Sequence, residues 1–319
     1  MDLSIISVNW NSKDYLRKCI ASILSTAHGI DYEIIVIDCG SSDGCGEMLQ
    51  EFYPRVRFIQ SEINLGFAKA NNHAAKEAIG EYILFLNPDT ELENGALRLL
   101  LDNIKSLPGA GAVGAKLLNT DSSIQTSCIR SFPTLLNQFL DSEMLRRCFP
   151  RSRLWGMAPI VEHKALPVEV EAVSGACLMI NRRIFESIGG FNTDYFMYSE
   201  DIDLCFKLRQ VGRKTYYVPS SVIVHHGGSS SSKSNVNAFS SVMMLESRRR
   251  YFCNTKSVSY SRAYRLMMLF SSVIRICLLL LAWPAAMSTN KKAFLENLLR
   301  KWNAKFRWAV GMEDWVNNY

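Results

Sequence analysis

The chain has nine cysteines, and no two form a Cys-x-x-Cys pair. That scatter excludes the common zinc ribbons and argues against a disulfide framework, so a reducing compartment is expected. No internal repeat and no nucleic-acid-binding motif is present. No glycine-rich phosphate loop follows the first apolar segment, where Asn9-Trp10-Asn11-Ser12 stands instead. That weighs against a sugar nucleotidyltransferase, which would want such a loop. The first apolar stretch, Leu3 to Val8, is too short for a signal peptide and reads as a strand. Near the C-terminus the longest unbroken apolar run, Ile276 to Trp283, is shorter than the roughly 20 residues a membrane span needs.

Of the 319 residues 48% are apolar, which is ample for one large α/β domain with an appendage. Charge is divided unevenly. Residues 1–244 hold 23 Lys+Arg against 26 Asp+Glu, and residues 245–319 hold 13 against 4. The tail therefore carries the whole basic character, and its Leu, Met and Trp content favours an anionic membrane surface over nucleic acid.

Strand and helix signals alternate through residue 117. Asp2–Val8, Tyr32–Ile37, Val56–Gln60, the run ending at Asp89 and Ala112–Leu117 read as strands. Helices are expected from Ser12, over Asp43–Phe52, Phe67–Ile79 and Gly95–Ser106. This alternation predicts a mostly parallel sheet between helical layers. Residues 119–171 are irregular, with Pro133, Pro150, Pro159 and Pro167 as breaks. Val173–Ile180 reads as a strand, Glu200–Val211 as a helix closed by Gly212, and Lys214–Val218 and Val222–His226 as two further strands. Gly227–Ser234 reads as a flexible loop.

Four positions can carry chemistry. Tyr82 to Leu86 is apolar on both faces, and Pro88 ends it, so Asp89 stands at the carboxyl edge of a sheet. A carboxylate there suits a divalent metal against a diphosphate. Thr90 and Glu93 also spell a capping box, so Asp89 has a purely structural reading too. Asp38 ends the strand Ile34–Ile37, where it can accept the N3–H of a uracil or thymine ring, or simply fold an Asx-turn. Glu200 and Asp201 open a helix beside Phe196-Met197-Tyr198. They are either partners of the helix dipole or a general base in a partly apolar pocket. His225 and His226 end a strand, as structural residues or as late ligands to Mn²⁺ or Mg²⁺.

In order, Val8-Asn9-Trp10-Asn11, the Asp38 turn, Asn64 to Asn71, Leu86-Asn-Pro-Asp89, Val173 to Ile180, Gly189-Gly-Phe-Asn, Tyr198 to Leu204 and Val218-Pro through Gly228 resemble the family 2 glycosyltransferases of GT-A fold. The resemblance covers about residues 1–250 and is strongest to the bacterial rhamnosyltransferase-like branch. It implies a GT-A catalytic domain over 1–255. Residues 1–117 would bind the nucleotide, and 118–255 would hold the acceptor and catalytic side. By the same resemblance, Asn9, Asp38, Asp43, Asn64, Gly66, Lys69 and Asn87 line the nucleotide-sugar pocket. Asp89 binds Mn²⁺ or Mg²⁺, and Asn87 replaces the first acid of the Asp-x-Asp motif. His225, or else His226, is a further metal ligand, and Asp201 is the catalytic base beside Glu200. The implied activity is inverting transfer of a sugar from a dTDP- or UDP-sugar, rhamnose being the leading choice. The acceptor would be a glycan, free or on a polyprenyl diphosphate. Cys39, Asn192 and Thr193 depart from the usual motif residues, which leaves room for a non-catalytic carbohydrate-binding scaffold.

Residues 256–319 read as a basic, amphipathic helical tail. Leu266 to Met287 is mostly apolar, with Arg275 near its middle and Pro284 near its end. A helix lying in the membrane interface is expected, with Arg275 snorkelling and Trp283, Trp302 and Trp308 at headgroup level. The protein would then sit in the cytoplasm, peripheral on the inner face of the cytoplasmic membrane.

Overall fold

A computed structural model describes residues 1–140, 166–227, 236–287 and 292–319, together with 145, 148, 149 and 152. The Gly/Ser stretch from residue 228 to 234, Pro150 and Pro159 lie outside the described residues. Strands β1 (Leu3–Asn9), β2 (Tyr32–Cys39), β3 (Arg57–Ser61) and β4 (Tyr82–Leu86) alternate with helices α1 (Lys13–Thr26), α2 (Cys45–Phe52) and α3 (Gly66–Lys76). There follow β5 (Thr90–Leu92), α4 (Ala96–Ser106), β6 (Ala110–Leu118), β7 (Ile129–Arg130), α5 (Leu135–Phe139), β8 (Val168–Val170), β9 (Ala172–Val173), β10 (Cys177–Asn181) and α6 (Arg182–Ser187). Then come α7 (Glu200–Gln210), β11 (Lys214–His225), α8 (Val236–Thr255), α9 (Val258–Met287) and α10 (Lys292–Val310).

The main sheet runs in the order β3-β2-β1-β4-β10-β6-β11-β5, with β8 also on β11. β10 is antiparallel to both β4 and β6; β3, β2, β1 and β4 run parallel on one side and β6 and β11 on the other, with β5 and β8 antiparallel to β11. Period-two burial explains the three layers. On β4, Leu84 and Leu86 face the α1, α2 and α4 side, while Ile83 and Phe85 face α3, α7 and the C-terminal helices. The mostly parallel α/β architecture expected from the sequence is therefore present.

Local expectations needed correction in three places. Thr90 and Glu93 form no capping box, because Thr90–Leu92 pairs with β11 and α4 starts after Gly95. The two predicted strands Lys214–Val218 and Val222–His226 are one strand, β11, with a register shift between Val218 and Val222. The predicted strand Val173–Ile180 is broken at Ser174–Ala176 into β9 and β10, and this turn shapes the site below.

The tail is a helical hairpin folded onto α8. Arg265 Nε and Nη2 donate to the carbonyls of Ala309 and Trp308 at 3.0 and 2.9 Å, so α10 returns along α9. Trp308 is 1% exposed and donates its indole N–H to Glu246 Oε2 at 3.1 Å. The Arg275 guanidinium lies 4.4 Å from the centroid of the largely buried Trp302 ring. Trp302 and Trp308 are thus interior residues, not headgroup-level ones. An amphipathic pattern marks an apolar face, and here α8 and α9 cover it. The opposite side of α9 stays apolar and exposed at Phe270, Ile274, Leu278 and Leu281. By length and composition, Val258–Pro284 is the one helix among the described residues that could cross a membrane.

Candidate active site

The carboxyl ends of β1, β2 and β4 lie side by side, since Asn9 pairs with Asp38 and Ile6 with Phe85. At this edge Asp38 is a buried hub. Its Oδ1 accepts from Asn9 Nδ2 at 2.8 Å and Ser41 Oγ at 2.6 Å, and its Oδ2 from Ser41 N–H at 2.9 Å and Gln60 Nε2 at 2.8 Å. Burial pushes its pKa up, but the donors Ser41, Asn9 and Gln60 together outweigh that and hold it below the usual value. Asp38 therefore organises the turn that opens onto a cleft of about 750 Å³, walled by Tyr53, Phe58 and Gln60. Asn9 Oδ1 is buried at this edge without a partner.

Asp43 Oδ2 accepts the Lys13 N–H at 2.7 Å and so caps α1, in place of Ser12, whose hydroxyl turns to the Trp10 carbonyl. Asn64 Oδ1 accepts the Gly66 N–H at 2.9 Å, and Lys69 stands exposed on α3. Gly66 has φ +71°, and a Cβ there would fall 2.3 Å from the Phe196 carbonyl oxygen. Phe67 N–H donates to that same oxygen at 2.8 Å. The loop after β3 is thereby pressed against the segment leading into α7.

Asn87, Asp89 and His225 converge. His225 Nε2 lies 3.3 Å from Asp89 Oδ1 and 3.4 Å from Asn87 Nδ2. Gln125 grips His225 twice. Its Nε2 donates to the His225 carbonyl at 2.7 Å, so its Oε1 is the atom 2.8 Å from Nδ1. A carbonyl oxygen only accepts, so Nδ1 carries a proton and Nε2 is the ring nitrogen that faces Asp89. That is the arrangement of a metal-ligating histidine held by a carbonyl behind it. His226 points elsewhere. Its Nε2 meets Glu91 Oε1 at 2.7 Å, and its ring packs on Tyr15. Among the described residues no group of three or more His, Cys, Asp or Glu side chains is placed to hold a metal ion. One carboxylate, one imidazole and one amide can still hold Mn²⁺ or Mg²⁺ if a diphosphate and water complete the shell.

The Ser174–Ala176 turn joins this corner to the second one. The Ala176 carbonyl accepts the Asn87 N–H at 3.0 Å, and the Gly175 N–H donates to Asp201 Oδ2 at 3.0 Å. Asp201 Oδ1 accepts the Ile202 N–H at 2.8 Å, and Arg130 Nη1 approaches Oδ2 at 3.6 Å. Glu200 is also buried, and its Oε2 has no partner. Burial, then the Asp201 charge, pushes its pKa up to about 8. Tyr198 and Ser199 both take φ +69° just before these acids. Such left-handed non-glycine residues are costly and cluster at functional sites.

Residues 4–189 match the model of the family described as Glycosyl transferase family 2. The chain belongs to the family 2 glycosyltransferases. It is 31% identical over 232 residues to N-acetylglucosaminyl-diphospho-decaprenol L-rhamnosyltransferase of Mycobacterium tuberculosis, covering 69% of this chain and 74% of that one. It is 28% identical over 226 residues to rhamnosyltransferase WbbL of Escherichia coli K12, covering 68% and 80%. A mannosyltransferase of Pyrobaculum calidifontis, solved with GDP-Man and Mn²⁺, shares the fold with a TM-score of 0.62 at 17% identity, over 97% of this chain and 86% of that one. This glycosyltransferase also carries two site residues that sequence reasoning missed, Gln125 behind His225 and Arg130 beside Asp201. Both lie in the irregular stretch 119–171, where single polar residues without periodicity give no signal.

Proposed function

We propose that this family 2 glycosyltransferase is inverting and divalent-metal-dependent, and transfers rhamnose from dTDP-rhamnose to a cell-surface glycan or a polyprenyl-diphosphate-linked sugar. The choice of sugar and acceptor is supported by the names of the two relatives above. The mechanism is supported by one observation: the Asn87–Asp89–His225 corner and the Glu200–Asp201 corner are bridged by the Ser174–Ala176 turn. Residues 1–255 form the catalytic unit in this reading, with the nucleotide held by 1–117.

The nucleoside occupies the cleft at Asp38. Asn9 Oδ1, buried without a partner, accepts the N3–H of the thymine or uracil ring, and Asp38 holds Asn9 in place. Asn87, Asp89 and the Nε2 of His225 would hold the cation, and a bound Mn²⁺ or Mg²⁺ would supply positive charge against the departing diphosphate. Asp201, oriented by Gly175 N–H and Arg130, takes the proton from the acceptor hydroxyl as its oxygen attacks the anomeric carbon. One displacement inverts that centre, and no enzyme nucleophile is required. Glu200, protonated near neutral pH, keeps a second negative charge away from Asp201. The exposed apolar side of α9 rests on the inner face of the cytoplasmic membrane, where lipid-linked acceptors lie. Its antiparallel partner α10 carries Lys292, Arg300, Lys301, Lys305 and Arg307, which favours a hairpin on the surface over one that spans.

The test is a panel of nucleotide sugars assayed by mass spectrometry with and without Mn²⁺, on wild type and Asp201→Asn. Transfer should need the metal and fall about 10²- to 10⁴-fold in the variant. Calorimetric binding of the donor should persist. Near-normal turnover by Asp201→Asn would remove it from the role of base.

A further inference from the structure

One guanidinium beside this site has two nitrogens with no hydrogen-bond partner among the described residues. Residues 248–250 are three consecutive arginines on α8, and two of them are accounted for. Arg249 and Arg250 both bind Glu246, and Arg250 also holds the carbonyls of Val316 and Tyr319. Arg248 differs. Its Nε and Nη1 are enclosed, and among the described residues neither has a hydrogen-bond partner, while the residue as a whole is half-buried. Burial pulls its pKa down. Arg130 lies close enough to lower it further, and Asp201, Tyr264 and Tyr251 are within the same electrostatic reach. A guanidinium does not escape such a site by losing its proton, so enclosure without an acceptor is a standing cost. An anion that docks there removes it.

The local charge points the same way. Arg130 and Arg248 are two positive charges, Asp201 is one negative charge, and Glu200 is protonated near neutrality. The donor diphosphate belongs at the other corner, with Asn87, Asp89 and His225. A plain sugar hydroxyl would bring no charge to the Asp201 corner. We propose that Arg248, backed by Arg130, binds a phosphate carried by the acceptor itself, on the anomeric oxygen of the sugar whose hydroxyl meets Asp201. This rests on the glycosyltransferase reading above. One sugar ring then spans from base to guanidinium.

The surroundings fit a lipid diphosphate. Tyr264, within reach of Arg248, also lines a cavity of about 360 Å³ whose walls include Tyr198, Arg275, Lys301, Trp302 and Lys305. The same helix, α9, carries exposed apolar side chains at Phe270 and Ile274. A carboxylate, a guanidinium pair, a cavity with basic residues in its walls and an apolar helix are the groups that a sugar hydroxyl, a phosphate, a second phosphate and a hydrocarbon chain would need.

The experiment compares two acceptors with the same N-acetylglucosamine, one joined by diphosphate to a farnesyl chain and one joined by oxygen to an octyl chain. kcat/KM is measured for each in wild type, Arg248→Met and Arg248→Lys. The wild-type preference for the diphosphate acceptor should fall about 10- to 100-fold in Arg248→Met, as expected for lost charged hydrogen bonds, and Arg248→Lys should recover part of it. An equal loss on both acceptors would make Arg248 a packing residue. A raised donor KM with the preference intact would place its phosphate on the donor. Either result overturns the proposal. Calorimetry with farnesyl diphosphate needs no turnover. Wild type should bind it, and Arg248→Met should bind about tenfold or more weakly. If Arg248→Met does not fold, farnesyl diphosphate should compete with the diphosphate acceptor and not with the donor. Absence of binding, or competition with the donor, overturns the proposal. Wild type that binds farnesyl diphosphate yet transfers and hydrolyses no nucleotide sugar would instead refute the glycosyltransferase mechanism.

Discussion

Glu200→Gln should make the protein more stable, and increasingly so as the pH rises. Glu200 is buried, one of its oxygens has no partner, and its pKa stands at about 8 against 4.5 for an exposed glutamate. Burial is the larger cause and the Asp201 charge the second. Between pH 4.5 and about 8 the folded protein keeps a proton on Glu200 that the unfolded chain has released. The folded state then binds more protons, so this residue's contribution is fully present below pH 4.5 and is lost as pH climbs to about 8. Each pH unit in that window costs about 1.4 kcal/mol. Glutamine keeps the shape and has no proton to lose. Urea unfolding of wild type and Glu200→Gln at pH 5.5, 6.5 and 7.5 isolates the term, because all other titrating groups are common to both. The stability difference should grow in favour of glutamine by roughly 3 kcal/mol across those two pH units. A difference that stays flat with pH would mean that Glu200 ionises like a surface carboxylate, and the picture of a protonated neighbour to Asp201 would fail.

Gln125→Ala should release His225 and weaken Mn²⁺ binding about 10- to 100-fold by calorimetry, while leaving the melting temperature nearly unchanged. Unchanged Mn²⁺ affinity would argue that His225 does not ligate. Trp308→Ala should cost about 3–5 kcal/mol in urea unfolding, since a fully buried indole and its bond to Glu246 are lost. A cost near zero would show that the hairpin is not part of the folded unit. Leu278→Ser with Leu281→Ser should reduce sedimentation with anionic vesicles without lowering the melting temperature, because both side chains are exposed. Undiminished sedimentation would place the membrane contact elsewhere.

The strand ending at Asp89 was legible because a continuous apolar run stops at a proline, and both signals are local. The ordered motifs fixed which strand ends share an edge. Thr90–Leu92 was not legible as a strand. Its partner β11 lies some 130 residues away in sequence, and the same residues spell a cap when read alone. The turn at Ser174–Ala176 was hidden inside an apolar run, although it brings Gly175 N–H to Asp201. Gln125 and Arg130 had no pattern around them, and only the fold brings them to His225 and Asp201. Trp302 and Trp308 were read as facing lipid because periodicity reveals an apolar side without saying what covers it.

The seam at Gly66 has a consequence for what position 66 tolerates. With Gly66 against the Phe196 carbonyl and the Phe67 amide bonded to it, the loop after β3 and the segment leading into α7 are held together backbone to backbone. Phe196 is followed two residues on by Tyr198, then by Ser199 and the acids Glu200 and Asp201, so the loop after β3 is tied to the chain that carries them. An alanine at position 66 would drive its Cβ into the Phe196 carbonyl and prise the two segments apart.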